Sequence, residues 1–312
     1  MIPQQLNPEE QRMQFEERGI IFPDETHERD AAKIQEIGYY KLKEFAYSFC
    51  NLSKGGVPEY AGLSFKKLLL RYYQDKNFRI FMLHAIEDVE VRLNSVVAYQ
   101  LGEKYGAFGY LDFKKWVNRK IGKFKIEEAQ FYFKRDILKK ISRSNLPDLR
   151  KNNNLNEDGF PTIWLVVDAL TFGDTIHLLQ QMSPSNLKSV ADKFECTPKE
   201  LVSWMKCMNF VRNACVHNSD LIDIHLRTKP TAPQEYAVEI ADAPGGNSNA
   251  IAIAVFILKR LMNAVNPMYK FGNICDSLKK IVKNDESAAK KLGFESPHSL
   301  GLIQKRLGSD KS

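Results

Sequence analysis

Arg212, Asn213 and His217 stand close together in the run Phe210-Val-Arg-Asn-Ala-Cys-Val-His-Asn218. A histidine gains and loses a proton near neutrality, so it suits removal of a proton from a ribose 2′-OH or delivery of one to a departing 5′-oxygen. An arginine stays charged, and its planar fork matches the oxygens of a phosphorane-like transition state. Asparagine moves no proton but orients an imidazole or holds a phosphate oxygen. Together the three fit RNA cleavage that needs no metal or other cofactor. No acidic metal cluster or Gly-rich phosphate loop in the sequence competes for the role.

Spacing sharpens this. Arg and His five positions apart occur twice, since Arg79-Ile-Phe-Met-Leu-His84 repeats the interval. There the intervening residues are apolar and no Asn follows the Arg, so a core stripe explains that copy. Around the second copy, Leu201, Trp204, Met205, Met208, Val211 and Cys215 form one apolar stripe at helical spacing, with Arg212 falling inside it. A guanidinium on such a face needs a carboxylate or a bound anion. Asn213 and His217 share a face, whereas Arg212 and His217 point about 140° apart on an ideal helix. Either the helix distorts here or two chains combine. A second account stays open beside the catalytic one: Arg212 in a buried ion pair with Glu87 or Glu90, and His217 as a residue ending the helix. Glu87, Glu90 and Arg92 lie on the preceding long helical pattern, as supports of the trio or as packing and surface residues.

The elements that must position these residues read as helices. Ser64 is placed to cap a helix carrying Leu68, Leu69 and Leu70, and residues 78–105 give the longest amphipathic pattern. Residues 163–172 are apolar and read as a buried helix. Thr197, Pro198 and Glu200 form a capping signature leading into the Arg212 segment. Residues 228–249 read as a loop holding a short strand at 236–240, and 250–265 as an apolar helix. The expected organisation is an N-terminal helical segment (1–62) packed on a core (63–285), then a small C-terminal unit and tail (286–312).

Composition excludes several classes. The longest apolar run, residues 250–258, falls well short of the roughly 20 residues that cross a bilayer, and the N-terminus carries no secretory pattern. Five scattered cysteines among 312 residues suit a reducing cytoplasm. Residues 113–151 hold thirteen Lys/Arg against four Asp/Glu, a net of +9 in a chain of net +7. Such a strip implies a polyanion partner or a solvated helix face. Lys114, Lys115, Arg119, Lys120 and Lys123 are the candidate RNA contacts, with Phe131, Ile137, Leu138 and Ile141 expected beneath the basic side chains.

Several blocks, in order, resemble the Abi-like proteins (the AbiD/AbiF group of phage-exclusion proteins) within the HEPN superfamily. They are Glu17-Arg-Gly-Ile-Ile21, Ile37-Gly-Tyr-Tyr-Lys-Leu42, Ala85-Ile-Glu-Asp-Val-Glu-Val-Arg-Leu93, Ile163-Trp-Leu-Val-Val-Asp-Ala-Leu-Thr-Phe-Gly173, Phe210-Val-Arg-Asn-Ala-Cys-Val-His217 and Leu292-Gly-Phe294. The resemblance implies an all-α, HEPN-like bundle with additional helices and little strand. It implies metal-independent endoribonuclease activity in abortive infection, at a composite site between two copies of the chain. The family's Arg-Asn-x3-His falls on Arg212, Asn213 and His217. Asn218 stands where relatives often carry a second histidine, and Val216 where they often carry a small residue. Two rival expectations are a non-catalytic protein holding a structured small RNA, and a protein–protein adaptor in phage defence.

Overall fold

Asn7 opens the first helix with a reciprocal cap. Its side chain accepts from the Glu10 amide at 2.9 Å while the Glu10 carboxylate accepts from the Asn7 amide at 2.7 Å. The chain is seen in a computed structural model that describes residues 4–52, 56, 58–60, 62–241 and 249–305. The helix is α1 (Pro8–Glu17), followed by α2 (His27–Ile37) and α3 (Tyr39–Ala46). Gly38, at φ 99°, makes the turn between α2 and α3 that a residue with a Cβ would resist. Among the described residues the strands are each two residues long: β1 (Ile20–Ile21), β2 (Asn51–Leu52), β3 (Pro58–Glu59) and β4 (Leu63–Ser64). β1 pairs in parallel with β4, and β2 pairs antiparallel with β3. Residues 1–3, 53–55, 57 and 61, part of the loop expected at 228–249, and the tail from 306 lie outside the described residues.

Ser64 then accepts from the Lys67 amide at 3.3 Å and starts α4 (Phe65–Tyr105), 41 residues long and about 60 Å from end to end. Where sequence periodicity suggests two stretches, the structure has one unbroken helix. Further helices are α5 (Phe113–Trp116), α6 (Lys123–Arg143), α7 (Ile163–Ala169), α8 (Phe172–Gln181), α9 (Pro184–Asp192), α10 (Pro198–Val216), α11 (Ile251–Val265), α12 (Gly272–Val282), α13 (Glu286–Lys291) and α14 (Ser299–Leu302). The fold is all-α. α4 packs against α3, α7, α8, α9, α10, α11 and α12, and α11 is buried from Ile251 through Leu258, as an element apolar all round must be. No helix among the described residues is long and apolar enough to cross a membrane.

Three expectations change. The apolar run 163–172 is two helices, because Leu170 and Thr171 are extended and Thr171 caps α8. The strand expected at 236–240 is a 3₁₀ turn, Gln234–Glu239, with Ile240 making a single bridge to Phe294. Beneath the basic strip only part of the apolar set is covered: Ile137 is 2% exposed, but Phe131 and Leu138 are 65% and 43% exposed. α6 turns those two toward solvent because it meets the body along a narrower face than the sequence pattern implies.

The apolar interior forms two clusters. One joins Phe15, Ile34, Leu42 and Phe45 to Phe65 and Leu68 at the start of α4. The other begins at Phe78 on the same helix and takes in α7 through α12. Between them α4 presents Arg71, Asp75 and Arg79, four residues apart and 9%, 0% and 3% exposed. This charged layer receives the end of α10.

Candidate functional site

α10 begins as the sequence indicates. Thr197 Oγ1 accepts from the Glu200 amide at 3.2 Å, Glu200 accepts from the Thr197 amide at 2.8 Å, and Pro198 takes the first position. Leu201, Trp204, Met205, Met208, Val211 and Cys215 are buried together. Arg212 sits at the edge of that stripe rather than within it, with 35% of its side chain exposed. Its Nε lies 3.6 Å from Glu90 Oε2 on α4 and has no hydrogen-bond partner. Burial pushes the Glu90 carboxyl above its ordinary value, and Glu87 adds to the shift; Arg212 and the Phe172 amide at the start of α8 oppose it without cancelling it. The pairing with Glu90 is the one the second account of the sequence expects. The Nε that makes it is buried, but the side chain as a whole is partly exposed and the two groups stand too far apart for a hydrogen bond. Glu87 and Arg92 are exposed, and Arg92 faces a shallow recess with Asp88 and Val91.

The helix is regular to its end. His217 caps it, its amide donating to the Asn213 carbonyl at 2.9 Å, and both side chains are exposed on one face. No distortion brings Arg212 round to His217. Within one chain the trio therefore divides into Asn213 with His217 on one side and Arg212 with Glu90 on the other.

What holds this end in place is a set of residues to which the sequence motif gives no role. Asn218 adopts φ 57°, a left-handed turn that asparagine tolerates. Its Oδ1 accepts from Arg79 Nη1 at 2.8 Å and its carbonyl from Lys41 Nζ at 3.0 Å. Arg79 Nε in turn donates to Asp75 at 2.5 Å, and the other Asp75 oxygen accepts from the Leu221 and Ile222 amides at 2.8 and 3.0 Å. Burial raises the Asp75 pKa, an effect that Arg79 and these amides only partly offset. Arg79 is thus a core residue, as its apolar setting indicates, but one that grips the turn directly after His217. Its former partner in the repeat, His84, lies by Tyr269, with Nδ1 3.3 Å from the hydroxyl. The sequence signal for this layer is Arg71-x3-Asp75-x3-Arg79, a charged file along an otherwise buried face.

Asp220, in the same segment, is pushed up to about 7 by burial and by the nearby Asp223 and Asp75 carboxylates, against Arg71. Between its unfolded value of 3.8 and about 7 the native state keeps a proton that the unfolded chain has lost. Stability therefore falls as pH rises through that window and is flat above it. Asp220→Asn removes the penalty: the melting temperature rises by roughly 2–4 °C at about pH 8 and by much less at about pH 5. Thermal scans of both proteins at the two pH values check this, and an equal shift at both would count against it.

Lys114, Lys115, Arg119, Lys120 and Lys123 are all exposed. Lys114 pairs with Glu127 at 3.1 Å and Lys115 with Asp112 at 3.6 Å. Lys114, Arg119 and Lys123 converge with Ile126 around a cavity of about 360 Å³. Further along the basic helix Lys140 pairs with Asp174, which closes the cap of α8, whose Phe172 amide reaches Glu90. A continuous set of contacts thus runs from the basic helix to the carboxylate beside Arg212.

A family model described as "Abi-like protein" matches residues 32–223. That stretch starts within α2, takes in the charged layer and α10, and stops at the residue paired with Arg71. No curated protein and no solved structure matches the chain.

Proposed function

The chain belongs to the Abi-like family, whose role lies in abortive infection and phage defence, and we propose that within that role it is an endoribonuclease of HEPN type. His217 removes the proton from a ribose 2′-OH, the freed oxygen attacks the adjacent phosphorus, and the P–O5′ bond breaks as the 5′-oxygen takes up the proton that the imidazolium returns. The products are a 2′,3′-cyclic phosphate and a 5′-hydroxyl. Arg212 meets the non-bridging oxygens as charge builds on them, and Asn213 orients the imidazole. No step in this scheme requires a metal.

The observation that carries the reading is the presentation of the trio. Asn213 and His217 stand exposed at a helix end that four hydrogen bonds fix from below, while Arg212 keeps an unpartnered Nε beside a carboxylate weakened by burial. An anion that displaces Glu90 gains the hydrogen bond that Glu90 does not make. Because α10 is regular, a second copy of the chain meeting this helix end supports the composite arrangement better than a bend would. The homodimer belongs to this proposal.

The second reading is an RNA-binding protein without catalysis. The Arg212–Glu90 contact and the cap formed by His217 favour it, since each gives its residue a structural task. Both readings place RNA on the basic strip, and both make one prediction. Changing Lys114, Arg119 and Lys123 together to Gln weakens RNA binding roughly tenfold or more near physiological salt. It also flattens the log K against log salt slope by about 2 for single-stranded RNA. Filter binding across a salt series tests this; an unchanged slope would remove the strip from the interface.

A further inference from the structure

At the Arg71 end of the charged layer, a cavity of about 440 Å³ lies between the N-terminal helices and the C-terminal ones. Five cations line it: Lys67 and Arg71 of α4, Lys280 of α12, Lys283 in the turn that follows, and Lys291 of α13. The two carboxylates that line it are already engaged. Asp223 pairs with Arg71 and with Lys291 at 3.4 Å, and Asp285 caps α13 by accepting from the Ala288 amide at 2.8 Å. Lys280 and Lys283 are exposed and, among the described residues, pair with no carboxylate.

Arg71 supplies a second, independent observation. Its side chain is 10% exposed, yet its Nε has no hydrogen-bond partner. A buried guanidinium N–H left unmet is costly, so the inner end of the lining holds a cation that its carboxylate does not fully satisfy. The wall beside it is apolar: Phe49, whose ring centroid lies 5.2 Å from Lys67 Nζ, and Leu70, which is 50% exposed. An inorganic anion would use the cations and leave that wall wet. A ligand with a phosphate at one end and a flat ring at the other uses both, and the volume falls in the range of small-molecule sites.

We infer that this cavity binds a nucleotide through its phosphate group. The site shares no residue with Arg212, Asn213, His217 or the basic strip, so it stands whether or not the chain cleaves RNA. The phosphate has two sources, a free mononucleotide or the phosphorylated end of an RNA strand, and the cavity chemistry serves either.

The test titrates two phosphorylated probes separately into the intact protein at constant ionic strength. One is a nucleoside 5′-monophosphate; the other is a short oligoribonucleotide with a 5′-phosphate. The unphosphorylated nucleoside and the 5′-hydroxyl strand are their controls. At least one phosphorylated probe is expected to bind roughly tenfold more tightly than its control, and the responding probe identifies the source. Lys280→Gln with Lys283→Gln, both at exposed positions, abolishes that advantage, whereas Lys193→Gln on a remote surface preserves it. The same advantage in His217→Ala protein separates this site from the catalytic reading. Equal affinity for phosphorylated and unphosphorylated probes, or an advantage untouched by the paired lysine changes, overturns the inference.

Discussion

His217→Ala protein is expected to cleave RNA roughly 10²–10⁴-fold more slowly than the parent, the usual loss when a positioned general acid or base is removed. The comparison is made with purified protein in EDTA, and the wild-type fragments should end in 2′,3′-cyclic phosphate. The side chain is exposed and makes no contact that the fold needs beyond its backbone cap. The variant should therefore melt within about 1 °C of the parent, since a surface change of this kind shifts stability little. Arg212→Ala should slow cleavage by a comparable factor through loss of charge at the phosphate. Were His217→Ala and the parent to cleave at the same rate, the imidazole would have no part in the chemistry. RNA retained without cleavage by either would favour the binding protein instead.

The second large effect falls on stability. Arg79→Met leaves the fully buried Asp75 without its guanidinium, and loss of one partner of such a pair costs about 3–5 kcal/mol. The leucine and isoleucine amides at 221 and 222 keep one Asp75 oxygen satisfied, but the other faces a thioether and the Asn218 side chain loses its donor. The deficit should shrink as pH falls toward the raised Asp75 pKa, because a neutral carboxyl no longer requires a cation. Adding Asp75→Asn to Arg79→Met should restore part of the stability for the same reason. Denaturant unfolding of the parent, the single variant and the double variant measures each term. A loss under about 1 kcal/mol, the size of an ordinary surface change, would mean that this layer does not secure the α10 turn.

Local rules carried well where the relevant partners are neighbours in sequence. The Thr197–Glu200 cap, the stripe from Leu201 to Cys215 and the uniformly apolar α11 depend on a few residues each, and all three form as their spacing requires. Legibility ends where the partner is remote. Arg71, Asp75 and Arg79 look like an interruption of helical periodicity because their partners, Asp223, Leu221, Ile222 and Asn218, lie about 140 to 150 positions away. The exposure of Phe131 and Leu138 has the same origin: which face of α6 is covered depends on how α7 and α8 meet it. Arg212 is the instructive case for the site. Helical angles place it in the stripe, yet a long side chain at the stripe's margin extends its head outward while its stem packs inside. Resemblance across ordered blocks, rather than spacing, singled out the trio, since the Arg79–His84 interval is identical, yet there the arginine anchors the charged layer and the histidine sits on the surface by Tyr269.

The uninterrupted α4 has a mechanical consequence. A rod that is embedded at one end among the N-terminal helices and carries Glu90 two-thirds of the way along contains no joint to absorb rotation. A tilt of its first turns is therefore carried along the same helix toward the carboxylate beside Arg212 rather than absorbed at a break in it.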